Sequence, residues 1–150
     1  MKVLRVYVDA SVIGGCFDPE FAVESRALVK MAEDGEIILV ASSVLLEELK
    51  KAPTHVKDLL GSLPDGAVEY VETGSESERL HELYLVAGVV GGSAADDARH
   101  VATATVAGVD VIVSWNFKHI VHFDKIKAYN AVNLKEGYPI LSIYTPKEMV

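Results

Sequence analysis

Three stretches of the 150-residue sequence place a carboxylate at the border of an apolar segment. The segment VYVDASVIGG carries Asp9, SSVLLEELKKA carries Glu48 and SAADDARHVATATVAG carries Asp97. Carboxylates that converge repel one another, which raises the pKa of at least one of them unless a cation lies between them. Their oxygen atoms are ligands that suit Mg²⁺ and Mn²⁺. These residues therefore predict a divalent-metal site, provided that the fold brings them together.

Glu48 lies on a predicted helix whose apolar side chains recur with a helical period. With about 100° of rotation per residue, Leu45, Leu46 and Leu49 share one arc of the helix surface. Glu48 borders this arc, whereas Glu47 lies on the far side and is expected in water. Burying the edge of a carboxylate is unfavourable unless a partner compensates its charge. The position therefore predicts either a paired Glu48 or an ordinary surface glutamate whose stem covers apolar neighbours.

Asp9 and Asp97 each have a structural and a chemical interpretation. An Asp at the end of a strand often caps a helix or opens a turn by accepting backbone N–H groups. Asp96 and Asp97 both fall in the first turn of their predicted helix, where acids interact favourably with the helix dipole. Adjacent residues point about 100° apart, so only one of the two can face a given crevice. Asp97, one turn before Val101, is on the inner side.

The apolar patterns predict strands that alternate with helices. Continuous apolar and β-branched runs are typical of strands covered on both faces, as parallel sheets require. The strands are predicted at 3–8, 37–41, 67–71, 109–114 and 139–144. The helices are predicted at 20–34, from 42 or 43 to 51, at 56–60, at 75–87 with a Ser75-to-Glu78 capping box, at 94–107, and as short pieces at 116–121 and 126–131. This order predicts an α/β fold, a three-layer α/β/α sandwich with a mainly parallel central sheet.

The predicted sheet explains how distant acids could meet. In open parallel sheets the ligand crevice lies beyond the carboxyl ends of the strands. Asp9, the segment from Ser43 to Glu48, and the segment from Ser114 to Asn116 all follow predicted strand ends. We therefore expect them at the same edge of the sheet.

Composition and cysteine content narrow the class of protein. Half of the residues are hydrophobic and the length is typical of one domain, so residues 1–150 are predicted to form a single domain. The apolar runs at 37–46 and 109–113 are too short to cross a membrane, and the N-terminal apolar run is too brief for a signal peptide. Cys16 is the only cysteine, which excludes an intrachain disulfide and favours a reducing cytoplasm. Cys16 is expected to be a packing residue.

The net charge of −8 argues at first against a nucleic-acid partner, because affinity for phosphates comes largely from Lys and Arg. The charge is unevenly distributed, however. The acids of residues 17–82 greatly outnumber the Lys and Arg there, whereas residues 114–150 carry more lysines than acids. A basic surface is therefore expected in the C-terminal part of the chain.

Taken together, VDASVI with Asp9, SVLLEEL with Glu48 and DDARHVATA with Asp97 resemble the successive acidic motifs of the PIN-domain ribonucleases, and VIVSWNFKHIV resembles the fourth. The resemblance extends from about Val3 to Tyr144, and it is specific as a set rather than motif by motif. It implies an α/β/α fold and Mg²⁺- or Mn²⁺-dependent hydrolysis of single-stranded RNA, with those three acids as the metal ligands. The family includes the VapC-type toxins of toxin–antitoxin pairs and often dimerises, so the resemblance also implies a cognate antitoxin and a homodimer.

The fourth motif departs from the family pattern. Family members usually have an Asp two residues after a strand-end Thr or Ser. In this chain the residue two positions after Ser114 is Asn116. Asn keeps a carbonyl oxygen as a ligand or hydrogen-bond acceptor but lacks the charge, so the site would carry about −3 rather than about −4. Two interpretations remain open: a ribonuclease in which Asn116 joins the catalytic residues, or a non-catalytic PIN-like domain that binds RNA or protein. Metal-dependent cleavage distinguishes them.

For a ribonuclease of this kind, the hypothesis is direct hydrolysis that leaves a 5′-phosphate and a 3′-hydroxyl. Asp9 or Asp97 orients the attacking water, and Glu48 completes the set of metal ligands. Ser11 and Ser114 are candidates for hydrogen bonds to the carboxylates, although turn formation explains these serines equally well.

The candidates for binding RNA phosphates are Arg99, Lys118 and His119, which are close in sequence to the acidic motifs. Trp115 could stack on a base, although a Trp that follows a strand more often packs in the core.

Other classes of site fit the sequence less well. A phosphatase of the haloacid dehalogenase type also has an Asp after its first strand, but it needs a second Asp where this chain has Ser11. A nucleotide-binding Rossmann protein needs the order G-x-G-x-x-G, which ASVIGGCF lacks. The chain has no HExxH motif and no Cys/His spacing typical of zinc sites.

Overall fold

The structure, a computed structural model, describes residues 2–150. Five strands, all parallel, form one sheet in the order β3-β2-β1-β4-β5. The strands are β1 (Leu4–Val8), β2 (Ile37–Ser42), β3 (Val68–Val71), β4 (Val111–Val113) and β5 (Ser142–Tyr144). The helices are α1 (Ala10–Gly15), α2 (Ala22–Glu33), α3 (Ser43–Leu49), α4 (Thr54–Lys57), α5 (Ser75–Val86), α6 (Ala95–Val106), α7 (Phe123–Lys135) and α8 (Pro146–Met149). Short 3₁₀ turns lie at Leu60–Ser62 and Gly92–Ala94.

Helices cover both faces of the sheet. In β1, Val6 and Val8 pack into a cluster with side chains of α1, α2 and α3, whereas Tyr7 packs on the opposite face with side chains of α5, α6 and α7. All three of these β1 residues are fully buried. Two-sided burial explains why the central strands β1, β2 and β4 are almost continuously apolar. The predicted three-layer α/β/α architecture is confirmed.

The strand order places the candidate residues at one edge. β1 lies between β2 and β4. The next strands in the chain, β2 and β3, lie on one side of β1, and the last two, β4 and β5, lie on the other. The residues that follow the carboxyl ends of these three neighbouring strands are Asp9, Ser43 and Ser114. A crevice at such a switch point is the usual ligand site of open parallel sheets.

The structure corrects two helix predictions in the C-terminal third. The segment 116–121 is a turn rather than a short helix, because the N–H of Val121 donates at 2.8 Å to the backbone carbonyl of Asn116 and not to that of Phe117, as a continuing helix would require. The predicted piece at 126–131 is the middle of α7, a continuous helix of 13 residues.

Two smaller predictions are also wrong. The capping box does not join Ser75 to Glu78; Gly74 is the N-cap of α5, and its N–H donates to the Ser77 hydroxyl at 2.9 Å. On α3, Leu46 is 41% exposed rather than part of the buried arc, while Leu45 and Leu49 are buried as predicted. Among residues 2–150, no helix combines the length and the hydropathy that crossing a membrane requires.

Candidate functional site

Asp9 is both a helix cap and the most firmly held acid of the site. It is the N-cap of α1, which begins directly after β1, and only 4% of its surface is exposed. Its Oδ1 accepts the N–H groups of Ser11 and Val12 at 3.1 and 3.4 Å and the Ser11 hydroxyl at 2.5 Å. Its Oδ2 accepts the Ser114 hydroxyl at 2.6 Å. Four donors thus compensate the burial of this charge.

Ser11 and Ser114 also tie the loop after β4 to the end of β1. The Ser11 hydroxyl oxygen accepts the N–H of Trp115 at 2.9 Å, and the Ser114 hydroxyl oxygen accepts the N–H of Asn116 at 2.9 Å. Each serine therefore combines a contact with Asp9 and a contact with the loop. These hydrogen bonds hold the backbone at Asn116, where the turn of residues 116–121 begins.

Asp97, in the first turn of α6, is half-buried and electrostatically coupled to its neighbours. Burial raises the pKa of its carboxyl group above the usual value, and the negative charge of Asp9 acts in the same direction. This rise is opposed by a side-chain hydrogen bond from Asn116 and by electrostatic interactions of the carboxylate with His119 and His100. Asp97 therefore lies within electrostatic range of Asp9, although the two are far apart in sequence.

Asn116 uses its two polar atoms in different directions. Its side-chain oxygen accepts the backbone N–H groups of Lys118 and His119 at 3.2 and 2.9 Å. Its amide group lies beside Asp97, where hydrogen bonding favours the charged carboxylate. Asn116 thus acts as an acceptor within its own turn and as a donor toward the neighbouring acid.

Glu48 borders the buried face of α3, as the helical period predicts. Its side chain is 35% exposed, whereas that of Glu47 is 71% exposed and pairs with Lys50 at 2.7 Å. Oε1 of Glu48 is hydrogen-bonded to Nε2 of His100. The edge of the carboxylate therefore has the compensating partner that its burial requires.

His100 and the two residues behind it are features of the site that the sequence did not reveal. His100 lies on α6, three residues after Asp97, and is 1% exposed. Its Nδ1 lies 2.6 Å from the hydroxyl of Tyr7, which lies 2.6 Å from the Ser42 hydroxyl. Burial raises the pKa of Tyr7 well above its usual range, so this hydroxyl keeps its proton. The signal in the sequence was a histidine inside DDARHVATA, in phase with the buried side of the helix.

The donor set fits a hard divalent cation by its chemistry. Asp9, Glu48 and Asp97 offer only oxygen atoms, and Oε2 of Glu48 has no hydrogen-bond partner among residues 2–150. A bound cation would compensate the negative charge of the Asp97 carboxylate. It would thereby oppose the rise in pKa that burial and the charge of Asp9 cause. Within residues 2–150, no three Asp, Glu, His or Cys side chains already stand around one point as a metal-binding cluster.

The candidate phosphate-binding residues differ in whether their side chains already pair with an acid. Arg99 donates to Glu78 at 3.0 Å and to Asp96 at 2.7 Å, so its guanidinium group is already paired. Lys118 is exposed and forms no ion pair within the described chain. The backbone carbonyl of His119 accepts the hydroxyl of Tyr129 at 2.9 Å, which helps to hold the turn.

The aromatic residues of this loop have separate roles. Trp115 is 6% exposed, donates from its indole to the Ser25 hydroxyl at 2.8 Å and packs on Phe21, so it belongs to the core. Phe117 is 51% exposed and directly follows Asn116. An aromatic face open to solvent beside the acids is therefore supplied by Phe117 rather than by Trp115.

An open groove of about 670 Å³ adjoins Glu48. It lies between α3 and the first turns of α5 and α6, and its lining includes Ser43, Lys51, Thr73, Glu78 and Arg99. The groove gives the solvent-facing side of Glu48 access to a ligand larger than water.

The sequence matches no protein-family model, and no curated protein matches it significantly. Solved structures do match. DNA-bound VapBC from Salmonella typhimurium is similar with a TM-score of 0.59 and 14% identity, over 96% of this chain and 99% of that chain. FitAcB from Neisseria gonorrhoeae has a TM-score of 0.59 and 13% identity, over 95% and 98%. VapC20 from Mycobacterium tuberculosis, described as a toxin that cleaves the sarcin-ricin loop, has a TM-score of 0.56 and 12% identity, over 91% and 98%.

The likeness to these structures concerns the fold. It covers nearly the whole chain, and it includes the five-stranded parallel sheet with helices on both faces. The chain therefore has the VapC-type, PIN-like α/β/α fold.

Proposed function

We propose that this chain is a metal-dependent endoribonuclease that hydrolyses single-stranded RNA, and that it is the toxin of a toxin–antitoxin pair. The proposal is supported by the VapC-type sheet, at whose switch point Asp9 follows β1 and Glu48 lies on the helix that follows β2. Asp9 and Asp97 interact electrostatically, and His100 lies in contact with Glu48 and within electrostatic range of Asp97.

Asp9, Glu48 and Asp97 would hold Mg²⁺ or Mn²⁺, which when bound neutralises charge on the phosphate and lowers the pKa of water. Four hydrogen bonds keep Asp9 in one orientation. Asp9 or Asp97 would orient the attacking water and accept a proton from it. Asn116 donates toward Asp97 and so takes part in catalysis by controlling that carboxylate.

The turn that follows Asn116 supplies the groups for binding RNA. Lys118 is exposed there and can approach a phosphate, and Phe117 offers a face on which a base can stack. His119 is half-buried and lies within electrostatic range of Asp97, where it can approach the same phosphate group. Arg99 borders the groove beside Glu48 and would have to leave Glu78 or Asp96 to bind RNA.

The proposed partners follow from the same fold. We propose a cognate antitoxin and a homodimer, because the sequence motifs resemble those of VapC-type toxins and the fold is shared with VapBC and with VapC20. A buried Cys16, the only cysteine, is compatible with a reducing cytoplasm as the site of action.

A non-catalytic PIN-like domain that binds RNA or protein is the second candidate function. It is favoured by Asn116, whose side-chain oxygen is engaged by the N–H groups of Lys118 and His119 where the family pattern has an acid. The two candidates predict different outcomes of a cleavage experiment.

The proposed function is tested with an end-labelled single-stranded RNA in Mg²⁺ or Mn²⁺, followed by identification of the product ends. We expect cleavage that leaves 5′-phosphates, that EDTA abolishes, and that Asp9→Asn or Asp97→Asn reduces at least about 100-fold. Asp96→Asn is the matched control, because Asp96 is adjacent but exposed and paired with Arg99. Metal-independent cleavage retained by Asp97→Asn would contradict the mechanism, and RNA binding without cleavage by the wild type would favour the non-catalytic domain.

A further inference from the structure

Four side chains form a continuous hydrogen-bonded network behind the candidate site, which we call the Glu48 network. It runs from Ser42 to Tyr7, then to His100 and finally to Glu48. The Ser42–Tyr7 and Tyr7–His100 contacts are both 2.6 Å. Ser42 and Tyr7 are fully buried and His100 is 1% exposed, so water has no access to the interior of the network.

The direction of each hydrogen bond follows from counting hydrogens. The Ser42 hydroxyl oxygen accepts the N–H of Leu45 at 3.2 Å as the N-cap of α3. Its only other partner within residues 2–150 is the Tyr7 hydroxyl. The Ser42 hydrogen must therefore point to Tyr7, because a buried hydroxyl hydrogen without an acceptor is unfavourable.

The remaining directions follow from the first. With the Ser42 hydrogen directed at its oxygen, Tyr7 donates its own hydrogen to Nδ1 of His100. His100 then carries its hydrogen on Nε2 and donates it to Oε1 of Glu48. If the hydrogen bonds ran the other way, from His100 to Tyr7 to Ser42, His100 would carry its hydrogen on Nδ1. The hydroxyl hydrogen of Ser42 would then have no acceptor.

We propose that His100, oriented by Tyr7 and Ser42, is a positioning residue that fixes Glu48 through Oε1 and leaves Oε2 directed at the cation and substrate. The proposal deepens the proposed function, since the role of Oε2 rests on it. The hydrogen bonds themselves do not rest on it.

The network joins three elements of the fold. Ser42 precedes α3 and Glu48 is near its end, while Tyr7 and His100 come from β1 and α6. The network therefore fixes α3 against two other elements at the point where its acid faces the groove. Outer-shell hydrogen bonds of this kind orient ligating side chains, and their loss typically costs about 10- to 100-fold in metal affinity.

The first test is made on the wild-type protein without metal. Long-range ¹H–¹⁵N NMR correlations distinguish which ring nitrogen of His100 carries the hydrogen. We expect the hydrogen on Nε2 and a bare, hydrogen-bonded Nδ1. A neutral ring with its hydrogen on Nδ1 would overturn the proposal, whether or not the protein cleaves RNA.

The second test compares two buried tyrosines. Tyr7→Phe removes a hydroxyl from the network, whereas Tyr84→Phe removes one that bonds Thr105 and Asn133 in the core. Both side chains are fully buried, so the two variants should lose similar amounts of stability. Only Tyr7→Phe should weaken Mn²⁺ binding, by about tenfold in calorimetry. Equal Mn²⁺ affinities of the two variants would overturn the positioning role.

The third test replaces the donor itself. The amide of Gln can occupy the place of Nε2, so His100→Gln should retain more Mn²⁺ affinity than His100→Leu, which has no donor. Equal losses in the two variants would show that packing rather than donation matters. If the wild type binds no Mn²⁺, the proposed function fails at its metal site, and the NMR result alone decides the hydrogen-bond direction.

Discussion

At the scale of single residues, each acid of the candidate site contributes to the local fold as well as to the proposed chemistry. Asp9 caps α1, Asp97 stands in the first turn of α6, and Glu48 joins α3 to α6 through His100. The structural and the chemical interpretations of these acids are therefore not exclusive. The burial of Asp97 has an electrostatic cost, because it raises the pKa of this carboxyl group.

This cost leads to a prediction about pH and stability. An acid with a raised pKa binds more protons in the folded than in the unfolded state, so the free energy of unfolding falls as pH rises through the interval between the usual pKa of 3.8 and the raised value. The Asp97→Asn substitution removes the titrating carboxyl group, and with it this fall in the free energy of unfolding. In EDTA we expect the variant to be more stable than the wild type at neutral pH, with a difference that shrinks as pH falls toward 3.8.

Urea unfolding at several pH values measures this difference, with Asp96→Asn as the control because Asp96 is exposed. A wild type and an Asp97→Asn variant with parallel stability curves would contradict the account of Asp97.

Asn116 permits a second prediction at this scale. Asn116→Asp keeps an oxygen for the N–H groups of Lys118 and His119 but replaces the donor beside Asp97 with a second negative charge. We expect Mn²⁺ to bind roughly tenfold more tightly, which corresponds to about 1.4 kcal/mol, and the metal-free protein to lose stability at neutral pH. The stability should return as pH falls and one of the two acids is protonated. Calorimetry that finds unchanged affinity would mean that this side chain does not face the cation.

The sequence predicts these residues unequally. The helical period is enough to place Glu48 at the border of the buried face and Glu47 in water. It is not enough to find Tyr7, because a tyrosine in an apolar strand has the pattern of an ordinary core residue. Its hydroxyl partners, Ser42 and His100, lie 35 and 93 residues away. Contacts of this kind depend on the packing of three elements and leave no local pattern.

At the scale of elements, the central strands β1, β2 and β4 are well predicted because burial on both faces requires a continuous apolar run. The edge strands β3 and β5 are partly exposed, and β5 begins at Ser142 rather than at residue 139. The segment 116–121 is not a helix, because the N–H of Val121 donates to the backbone carbonyl of Asn116 rather than to that of Phe117. The Asn116 side chain accepts two further N–H groups of this turn.

The two glycines of α1 give a prediction with an internal control. A Cβ at Gly15 would lie 2.7 Å from Oγ of Ser25 and 3.1 Å from Nε1 of Trp115, whereas a Cβ at Gly14 meets nothing within 4 Å. Gly15→Ala should reduce the free energy of unfolding by about 1–3 kcal/mol, because α1, α2 and the loop after β4 must separate. Gly14→Ala should leave it unchanged or raise it by up to about 1 kcal/mol.

Urea unfolding followed by the fluorescence of Trp115, the only tryptophan, measures both variants. Equal stabilities of Gly14→Ala and Gly15→Ala would contradict the close packing at this position.

At the scale of the whole molecule, the strand order places the residues that follow β1, β2 and β4 at one edge of the sheet. The crevice at the carboxyl ends of β1, β2 and β4 could be predicted from the alternation of strands and helices. The order β3-β2-β1-β4-β5 could not be worked out from composition or periodicity, because neither says which strands pair. The resemblance to a known family implied only the α/β/α fold, which the likeness of folds supports.

The uneven charge of the molecule predicts how RNA binds. In a chain with a net charge of −8, the exposed Lys118 beside the acids should carry a measurable share of phosphate binding. In an Asp97→Asn background, Lys118→Ala should lower RNA affinity and reduce the slope of log affinity against log salt concentration by about 0.7. Lys30→Ala is the control, since Lys30 lies on α2 and pairs with Asp34 at 2.8 Å. Equal effects of the two substitutions on the salt slope would exclude Lys118 from the RNA-binding surface.

We propose that side chains 9, 48 and 97 share one cation. Anomalous diffraction from crystals soaked in Mn²⁺ tests it most directly. We expect one strong peak whose protein ligands include Asp9, Asp97 and the Oε2 atom of Glu48. A map without a peak between these carboxylates, although Mn²⁺ is abundant in the crystal, would contradict the claim.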